Sequence, residues 1–505
     1  MNKALHLLEG DAHDATLAAR AHPQEWKNPT PEGRYNLVVI GAGTAGLVAA
    51  AGAAGLGGKV ALIERRLMGG DCLNFGCVPS KALIRSARVA ATVREARAYG
   101  VDAGEPKVDF SRVMSRVRSL RAGIAHHDSA ERFHGLGVDV YLGEGRFVAP
   151  DAVEVAGQRL TFSRALIASG AKPAVPPIPG LEEAGYLTNE TVFTLTSLPP
   201  RIVVLGGGPI GCELAQAFRR LGSRVVLISK EERLLPREDP EAGTLLMRRF
   251  EAEGITLHLG AQVTRVEPHG EVKRTHFERG GAVGAVDGEA LLISTGRVPE
   301  LASLDLEAAG VRSGPQGVEV DDRLRTSNPR VYAAGDICSR FKFTHAADAL
   351  ARVALQNALL LGRKKASALV IPWCTYTDPE VAHVGLSAEE AEARGDAVVT
   401  LTVPLSSVDR AILESETEGF GRLHVDARTG KLLGGTIVGS HAGENIGELA
   451  LAMTQGLTVG ALANTVLPYP TQGEVLKRLG DAWNRRRLTP RAKNFLTRFL
   501  EWRRR

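Results

Sequence analysis

The chain has 505 residues, a length typical of two or three domains. Its hydrophobic share of 44% and charged share of 24% predict a soluble globular protein of the α/β class. The net charge of +5 is not gathered in a block interleaved with aromatic residues, which argues against a nucleic-acid partner, and no segment reaches the roughly 18 uninterrupted apolar residues of a transmembrane helix.

Residues 1–33 are the first predicted segment, an N-terminal extension. They carry His, Asp, Glu and Pro without a continuous apolar core, so they do not resemble a secretory signal. The five cysteines, an odd number, do not suggest the disulfide framework of a secreted protein in a chain of this size. We therefore expect a cytoplasmic protein.

The next elements are a strand, a glycine-rich loop and a helix. The predicted strand Tyr35–Ile40 runs directly into the loop from Gly41 to Gly46. Gly41 permits a tight turn, Gly43 lets a pyrophosphate approach the backbone at the helix N-terminus, and Gly46 lets the helix pack closely on the strand. About 20 positions after the first glycine, the following strand ends at Glu64, where an acid would accept hydrogen bonds from an adenosine ribose.

Two cysteines, Cys72 and Cys77, come just before a predicted helical run, Lys81–Arg97. The spacing allows a small disulfide loop, and the end of a helix stabilises a thiolate. A zinc site normally needs four ligands and no second pair accompanies these two, while a structural disulfide is unexpected in the cytosol. The pattern favours a redox-active dithiol.

A second glycine-rich loop repeats the first pattern. The predicted strand Arg201–Leu205 leads into a loop with Gly206, Gly208 and Gly211, and a helix and the strand Arg224–Ile228 follow. A single glycine pattern could be a merely structural turn. Two such units in their proper contexts predict two bound dinucleotides.

The residue at the end of the second strand differs between the two units. Where the first unit has Glu64, the second has Ser229, with Lys230 next and Arg233 close behind. Without an acid to repel a 2′-phosphate, and with cations nearby, NADPH is favoured over NADH. The alternative is that the two cations are solvated turn residues.

The end of the chain is basic, from Trp483 to Arg487 and again from Trp502 to Arg505. A helix that is docked or solvated is favoured here, and contact with a membrane surface is the less favoured alternative. The apolar residues that could form a stripe on this helix are Phe495, Leu496, Phe499, Leu500 and Trp502.

In these motifs the chain resembles the class I pyridine nucleotide-disulfide oxidoreductases, the group that contains glutathione reductase, lipoamide dehydrogenase and mercuric reductase, and it is most like the mercuric reductase branch. The resemblance extends from about Tyr35 to about Trp483. It implies a glutathione reductase-like α/β fold with two Rossmann-like FAD/NAD(P)-binding domains and an α+β C-terminal dimerisation domain. The matching motifs are the two glycine loops, Gly70–Lys81, Glu213, Ser294–Pro299 and Val331–Asp336.

On this basis we expect a divided FAD domain with the NADPH domain inserted into it, a C-terminal domain that forms the interface of a homodimer, and a basic tail. The expected boundaries are 1–33 for the extension, 34–176 and 299–370 for the two parts of the FAD domain, 177–298 for the NADPH domain, 371–490 for the interface domain and 491–505 for the tail.

The resemblance also implies roles for residues. Cys77 would lie against the flavin as the charge-transfer thiolate, Cys72 would face substrate as the interchange thiol, and Lys81 would form an ion pair with Glu213 beside the flavin. Asp336 would hold the FAD ribityl chain. The FAD site would comprise Gly41, Gly43, Gly46, Glu64, Gly70, Lys81, Gly170, Gly335 and Asp336, and the NADPH site Gly206, Gly208, Gly211, Ser229, Lys230, Arg233 and Gly296.

The run from Leu467 to Glu474 bears on the substrate. Disulfide-reducing members of the family have a His at the position of Tyr469, supplied from the partner subunit as a general acid. A tyrosine, with an ordinary pKa of about 10, is a poor proton shuttle near neutral pH. Mercuric reductases have tyrosine here and a second one that matches Tyr186, whose alternative role is packing between domains.

The predicted function is transfer of electrons from NADPH through FAD to Cys72 and Cys77, and then to a thiol-bound metal ion such as Hg(II) or a related small-molecule acceptor. Two soft thiolates bind such an ion linearly. The chain lacks the vicinal C-terminal cysteine pair and the N-terminal metal-scavenging domain of mercuric reductases, so a quinone, another metal or a disulfide remains an alternative acceptor. A redox-sensing flavoprotein of low turnover is an alternative of another class. Because Tyr469 and Glu474 should enter the partner's site, we expect a monomer to be inactive.

Overall fold

The computed structural model describes residues 5–504 of the chain. The α-helices, numbered in chain order, are α1 (Ala12–Ala21), α2 (Thr44–Gly55), α3 (Gly70–Asn74), α4 (Cys77–Glu95), α5 (Phe110–Ile124), α6 (Ala130–Gly135), α7 (Leu181–Ala184), α8 (Pro209–Leu221), α9 (Pro240–Ala252), α10 (Thr344–Leu359), α11 (Ala388–Ala393), α12 (Asp409–Leu413), α13 (Ala442–Thr454), α14 (Val459–Asn464), α15 (Glu474–Arg487) and α16 (Pro490–Arg503).

The strands are β1 (Arg34–Ile40), β2 (Val60–Glu64), β3 (Val138–Leu142), β4 (Gly145–Ala149), β5 (Ala152–Val155), β6 (Gln158–Ile167), β7 (Ala171–Pro173), β8 (Arg201–Leu205), β9 (Arg224–Ser229), β10 (Thr256–Leu259), β11 (Gln262–His269), β12 (Val272–Arg279), β13 (Ala282–Gly288), β14 (Ala290–Ile293), β15 (Arg297–Pro299), β16 (Ser313–Gly314), β17 (Gly317–Val318), β18 (Val331–Ala333), β19 (Pro372–Thr375), β20 (Glu380–Gly385), β21 (Val398–Pro404), β22 (Phe420–Asp426) and β23 (Leu432–Gly439).

The described residues divide into two compact units. The first comprises residues 5–230 and 253–369, and the second comprises 231–252 and 370–504. The first unit holds both glycine-rich loops and both cysteines of the predicted dithiol. The second unit holds the C-terminal run that contains Tyr469.

A seven-stranded sheet lies at the centre of the first unit, in the order β3-β2-β1-β6-β5-β4, with β18 beside β6. The strands β3, β2, β1, β6 and β18 are parallel, and Val39 of β1 lies opposite Leu62 of β2 and Leu166 of β6. The apolar run Leu37–Ile40 is buried because elements cover both faces of a parallel sheet. Parallel strands end at one edge of the sheet, so the loop after β1 and Glu64 at the end of β2 share that edge.

A second parallel sheet, in the order β10-β9-β8-β14, accompanies a three-stranded antiparallel sheet, β11-β12-β13. β8 runs into the second glycine-rich loop and α8, and then into β9. The strands predicted around both glycine loops are present, with end points that differ by at most one residue. The α/β fold class with two Rossmann-like units is therefore confirmed.

The helix after the dithiol begins earlier than predicted. We expected it to start at Lys81, whereas α4 starts at Cys77 and ends at Glu95. Pro79 lies in its first turn, where the missing backbone amide would have no helical partner in any case. As a result Cys77 is the first residue of a long helix, and its sulfur lies at the positive end of the helix dipole.

The N-terminal extension folds onto the first unit. Its helix α1 packs on α5, and Leu5, Leu7 and Leu17 are part of the apolar core that also contains β1 and α2. Asp11 caps α1 by accepting hydrogen bonds from the amides of His13 and Asp14. The described part of the extension, residues 5–33, is therefore an integral part of this unit.

A five-stranded antiparallel sheet, in the order β19-β20-β23-β22-β21, forms the second unit with the helices α13, α14 and α15. This is the α+β domain that the resemblance implies. The last helix, α16, buries none of its described side chains, so the apolar stripe predicted there is exposed. No helix among residues 5–504 is long and apolar enough to cross a membrane.

Candidate active site

The two cysteines of the dithiol lie at the junction of two helices. Cys72 is in the short helix α3, and Cys77 opens α4. Both are thiols in this structure; Cys72 is half-buried and Cys77 is exposed. The thiols are hydrogen-bonded to each other, so their sulfurs are already neighbours.

The two thiols differ in acidity. The hydrogen bond from Cys72 lowers the pKa of Cys77 to about 6, and the Lys81 ammonium and a hydroxyl also lower it. The surrounding protein atoms act in the opposite direction, since they desolvate the sulfur even though the residue reaches the surface. The same hydrogen bond, together with burial and the charge on its neighbour, raises the pKa of Cys72. Near neutral pH one sulfur is a thiolate and the other keeps its proton.

The hydroxyl near Cys77 belongs to Thr344, which the sequence analysis did not identify. Its Oγ1 lies 3.4 Å from the Cys77 Sγ, and it is the first residue of α10. It lowers the pKa of Cys77 by hydrogen bonding to the thiolate. A threonine that opens a helix normally indicates only a cap, so the sequence carried no signal for this contact.

Lys81 and Glu213 form the ion pair that the resemblance implies. The Lys81 Nζ lies 2.8 Å from Glu213 Oε2, and the carboxylate is buried. Lys81 stands one helical turn after Cys77 on α4, which places its ammonium on the same face as the thiolate. Because Glu213 is on α8, the pair joins the helix of the dithiol to the helix of the second glycine loop.

The first glycine loop has the geometry of a pyrophosphate site. A Cβ on Gly46 would lie 1.8 Å from the Gly41 carbonyl oxygen, and a Cβ on Gly70 would lie 2.5 Å from the Gly43 Cα, so only glycines allow these approaches. Gly43 precedes α2 without any capping side chain, which leaves the amides of the first turn directed at a ligand. The cradle therefore fits the diphosphate of FAD.

Glu64 is buried at the edge of this cradle. Its two carboxylate oxygens accept hydrogen bonds from the backbone amides of Ala42 and Arg66, each at 2.7 Å. Burial raises the pKa of this carboxyl against the effect of those amides. A carboxylate has about four acceptor sites, so two remain for the predicted ribose hydroxyls.

An arginine connects two acids near the dithiol. Arg297 lies 3.3 Å from Asp71 and 3.5 Å from Asp336, and it also donates to the Ala171 carbonyl oxygen at 2.6 Å. Burial raises the pKa of Asp336, and Arg297 opposes this shift. Gly335, just before Asp336, packs against α2, where a Cβ would lie 3.3 Å from the Ala45 Cβ. Among the predicted FAD residues, Asp336 and Gly335 thus lie near the start of α2.

Gly170 and Gly296, the remaining predicted glycines, flank a short pair of strands. Gly170 precedes β7 and Gly296 precedes β15, and these strands pair antiparallel. The Gly170 carbonyl oxygen accepts a hydrogen bond from the Glu300 amide, and the Gly296 carbonyl oxygen accepts one from the Ala174 amide. Both glycines have left-handed backbone, with φ of +74° and +132°. Their contacts with cofactors stay predictions.

The second glycine loop repeats the geometry of the first. A Cβ on Gly211 would lie 2.0 Å from the Gly206 carbonyl oxygen, and Gly208 precedes α8 without a capping side chain. Ser229 ends β9 as a buried residue, and Lys230 after it is exposed. This loop therefore also fits a pyrophosphate.

Arg233, predicted beside Ser229, belongs to the second unit. There its guanidinium donates to the Pro236 carbonyl oxygen at 2.9 Å and lies 3.0 Å from Glu389. These contacts already use the side chain within its own unit. Its predicted contact with NADPH stays a prediction.

The tyrosines proposed for the substrate have local partners. Tyr186 packs on the core of the second nucleotide sheet and donates a hydrogen bond to Glu182 at 3.0 Å, and in the described part of the chain it has no hydrogen bond with either cysteine. Tyr469, in the second unit, is 73% exposed and donates to Asp409 at 2.9 Å, which raises the pKa of its phenol. Glu474 pairs with Arg478 at 2.9 Å.

Several residues that hold the segment Cys72–Cys77 were missed by the sequence analysis. The Asn189 side-chain amide donates to Asp71 at 3.0 Å and to the Phe75 carbonyl oxygen at 3.4 Å, and Arg121 donates to the Asn74 carbonyl oxygen at 2.9 Å. These partners come from distant parts of the chain. Only the Asp-Cys pattern itself was visible in the sequence.

No group of three or more His, Cys, Asp or Glu side chains within residues 5–504 could hold a metal ion. The dithiol itself supplies two sulfur atoms, those of Cys72 and Cys77. Two thiolates suffice for a soft ion that prefers linear coordination, whereas zinc usually takes four protein ligands in a structural site.

Two family models match the chain. The model described as pyridine nucleotide-disulphide oxidoreductase matches residues 35–351, and the model described as pyridine nucleotide-disulphide oxidoreductase, dimerisation domain, matches residues 371–479. The first contains the dithiol and both glycine loops. The second contains Tyr469 and Glu474.

Individual proteins are similar over most of the chain. The mercuric reductase of Bacillus cereus is 38% identical over 469 residues, which are 93% of this chain and 74% of that protein. The dihydrolipoyl dehydrogenase of Chlorobaculum tepidum is 34% identical over 451 residues, which are 88% and 96% of the two chains. Among solved structures, the Cu(II) complex of the HOCl-induced flavoprotein disulfide reductase RclA from Escherichia coli has a TM-score of 0.78 at 28% identity, covering 88% of this chain and 98% of that one.

Proposed function

The chain belongs to the pyridine nucleotide-disulphide oxidoreductase family, and from that premise we propose that it is an NADPH-dependent, FAD-containing reductase of a thiol-bound metal ion such as Hg(II). Members of this family use FAD and NAD(P)H. Bound FAD would supply the ring that accepts hydride from the nicotinamide and passes an electron pair either to the Cys72–Cys77 disulfide or to a metal ion held by the two thiols. The residues of this chain would bind both nucleotides and hold the thiols and their protons.

The unequal acidity of Cys77 and Cys72 carries this proposal. With a pKa of about 6, Cys77 is a thiolate at neutral pH, while the raised pKa of Cys72 keeps the proton on that sulfur. A thiolate is the form that attacks a disulfide or binds a soft metal ion. The Lys81 ammonium, fixed by Glu213, keeps a positive charge beside it.

The residues present fit FAD at the first loop. Gly43 and the first turn of α2 would hold the diphosphate, Glu64 the adenosine ribose, and Asp336 the ribityl chain. The close backbone approaches at Gly46 and Gly70 support this assignment, because a side chain at either position would push apart the segments that form the cradle.

NADPH is proposed over NADH on the basis of Ser229 and Lys230. The end of β9 has no carboxylate to repel a 2′-phosphate, and the exposed ammonium next to it would attract one. Steady-state rates with the two nucleotides test this step. A kinetic preference for NADH would contradict it.

A metal ion is proposed over a disulfide because the phenol is a poor acid. Reduction of a disulfide substrate requires a proton for each leaving thiolate, and hydrogen bonding to Asp409 raises the pKa of Tyr469 above its ordinary value. Reduction of Hg(II) to Hg(0) takes two electrons and no proton. The similarity to the Bacillus cereus mercuric reductase, and to a flavoprotein solved as a Cu(II) complex, supports a metal ion as substrate.

The test is the oxidation of NADPH by the purified holoprotein with a panel of acceptors: Hg(II) in excess thiol, Cu(II), a quinone, lipoamide and glutathione disulfide. We expect turnover with Hg(II) that is lost in Cys72→Ser and Cys77→Ser and kept in Cys374→Ser, which removes a thiol from the second unit. Turnover with the quinone alone, or full activity in Cys72→Ser, would contradict the proposal.

Reduction of a disulfide is the second candidate, favoured by the similarity to a dihydrolipoyl dehydrogenase and to a disulfide reductase. Activity with lipoamide that exceeds activity with Hg(II) would support it. An absence of turnover above background with every acceptor would support a redox-sensing flavoprotein instead.

The chain carries the dimerisation domain of the family. We further propose that Tyr469 and Glu474 complete the site of the partner subunit of a homodimer. The high exposure of Tyr469 within a single chain supports this. A monomeric variant with full turnover would refute it.

A further inference from the structure

The N-terminal extension reaches the segment Cys72–Cys77, which we call the redox loop. We propose that the extension positions this loop through Asp14 and Arg121, and that it thereby shifts the balance between the disulfide and the dithiol. The inference rests on the redox role proposed above for the two cysteines.

The first contact is a buried ion pair that ends on the loop. Arg121 of α5 pairs with Asp14 of α1, and each side chain is only 1% exposed. The other terminal nitrogen of Arg121 donates to the Asn74 carbonyl oxygen, in the middle of the redox loop, at 2.9 Å. The second Asp14 oxygen accepts a hydrogen bond from the Leu8 amide at 2.8 Å, which fixes the carboxylate.

A buried ion pair of this kind is poor evidence for stability, because its desolvation offsets much of its attraction. It does fix geometry. With Asp14 in place, the planar guanidinium has one orientation in which it reaches both the carboxylate and the Asn74 carbonyl oxygen. A cation held by the extension therefore determines where the middle of the redox loop lies.

The second contact is with the backbone just before the loop. The Met68 amide donates to the Ala21 carbonyl oxygen at the end of α1 at 3.0 Å, and the His22 ring contacts the Arg66 carbonyl oxygen. The Asn74 side chain in turn donates to the Met68 carbonyl oxygen at 3.1 Å. The extension thus holds the entry to the loop as well as its middle.

The third contact is with the aromatic residue of the loop. The His6 ring meets the Phe75 ring edge to face, with centroids 6.1 Å apart, and Arg66 lies over the same ring at 5.1 Å. Both basic residues also pair with Glu190, at 3.4 and 2.9 Å. Phe75 is thereby enclosed between the extension and the body of the unit.

These contacts bear on the chemistry because disulfide formation depends on how often the two sulfurs meet. A loop held in the conformation in which the sulfurs are neighbours has a high effective concentration of one thiol at the other. Loss of the Arg121 hydrogen bond would leave a loop carbonyl without its donor and let the cysteines separate. The disulfide should then be easier to reduce.

The experiment removes the ion pair without leaving a buried charge. The double variant Asp14→Leu/Arg121→Met replaces it by apolar side chains, a change that stability commonly tolerates. The matched control is Asp11→Asn/Arg118→Met, which removes the neighbouring 2.8 Å ion pair between the extension and α5, while the Asn keeps the cap of α1. Among the described residues, Arg118 bonds Asp11 and has no hydrogen bond with the redox loop.

The readout is the disulfide fraction of Cys72 and Cys77 in the holoprotein, equilibrated with dithiothreitol at varied oxidation, quenched with acid and measured by mass spectrometry. We expect the Asp14/Arg121 variant to favour the dithiol about tenfold more than wild type, since a hydrogen bond from a charged donor contributes about that factor. The control should match wild type. A parallel pH series of Cys77 alkylation gives the pH at which the rate is half-maximal. In the Asp14/Arg121 variant alone, this pH should rise toward the value of an ordinary thiol.

Three outcomes would overturn the inference. If the Asp14/Arg121 variant and the control both match wild type, the pair is only structural. If both shift equally, general loosening of the unit is the cause. If wild type itself forms no Cys72–Cys77 disulfide, the proposed function fails, and the inference fails with it.

Should the double variant not fold, Arg121→Lys is the second test. It keeps a cation at Asp14 and loses the forked guanidinium that reaches the redox loop. A wild-type equilibrium between disulfide and dithiol in that variant would also refute the inference.

Discussion

The two glycine-rich loops of the first unit share one backbone geometry, and the strands that follow them end differently. A Cβ on Gly46 or on Gly211 would lie within 2.0 Å of the carbonyl oxygen of the first glycine of its loop. After the first loop, β2 ends at Glu64, a buried carboxylate that accepts hydrogen bonds from two backbone amides. After the second loop, β9 ends at the small residue Ser229. The shared loop geometry suits the pyrophosphate that all dinucleotides contain. The different strand ends suit different substituents on the adenosine ribose, which is where dinucleotides such as NADH and NADPH differ.

The largest expected effect comes from filling the close approach in the first loop. Gly46→Ala places a methyl group against the Gly41 carbonyl oxygen, so α2 must move away from β1 and the cradle opens. We expect the purified protein to lose nearly all its FAD, measured by absorbance after release of the flavin. Gly208→Ala, where a Cβ would meet open space, is the matched control. Gly211→Ala should keep FAD and lose NADPH binding; loss of FAD in both loop variants would mean that the two loops are not separate sites.

The second effect concerns the end of β9. Ser229→Glu gives the end of β9 a carboxylate like that of Glu64 at the end of β2, which would repel a 2′-phosphate and accept a hydrogen bond from a ribose hydroxyl. We expect the ratio of kcat/KM for NADPH to that for NADH to fall by at least about tenfold, since like charges in contact cost more than ~1.4 kcal/mol. Ser229→Ala should leave the ratio nearly unchanged. An unaltered ratio in the Glu variant would show that nucleotide choice lies elsewhere.

The third effect concerns Lys81, whose pairing with Glu213 connects the helix of the dithiol to the helix of the second glycine loop. Lys81→Met removes one of the causes that hold the pKa of Cys77 at about 6, so the pKa should rise by about one unit. The thiolate exists above the pKa and is lost as pH falls through it, so the decline of alkylation with falling pH should begin at a higher pH in the variant. Arg85→Met, an exposed cation on the same helix, is the control. Equal profiles for all three proteins would refute the role of Lys81.

The smallest effect is expected at Glu64, the buried acid that ends β2. Glu64→Gln keeps the shape of the side chain but replaces one carboxylate oxygen by an amide nitrogen, which is a donor. That donor would face one of the two backbone amides that now donate hydrogen bonds to the carboxylate. We expect FAD to bind about fivefold more weakly, because one hydrogen bond contributes ~1 kcal/mol. Titration of the apoprotein with FAD, followed by flavin fluorescence, measures it. An unchanged affinity would show that Glu64 serves only the fold.

The parts of this molecule that sequence could predict are those coded within short stretches. The strand, glycine turn and helix of each loop lie within about 25 residues, and their spacing predicts them because each glycine has a separate steric task. Lys81 and Glu213 were placed through the family resemblance, and the structure brings them to 2.8 Å. The sequence predicts the start of α4 four residues too late, because a proline such as Pro79 is as compatible with the loop before a helix as with the first turn of the helix.

The parts that escaped prediction depend on contacts between distant segments. Thr344 meets Cys77 across 267 positions, and Arg121 meets Asn74 across 47. An isolated threonine or arginine carries no periodicity or spacing that distinguishes such a role from a surface position. Arg233 is the opposite case, because proximity in sequence does not place it in the same unit. It lies only four positions after Ser229 but belongs to the other compact unit.

The exposed, acidic thiol of Cys77 determines how the protein would react with hydrogen peroxide. A thiolate is the form that hydrogen peroxide attacks, and the first product is a sulfenic acid. With the protonated Cys72 thiol as its hydrogen-bonded neighbour, that product would condense to the intramolecular disulfide and release water. Peroxide damage would then end in a state that the enzyme's own reductant reverses, whereas Cys72→Ser would leave Cys77 open to irreversible overoxidation.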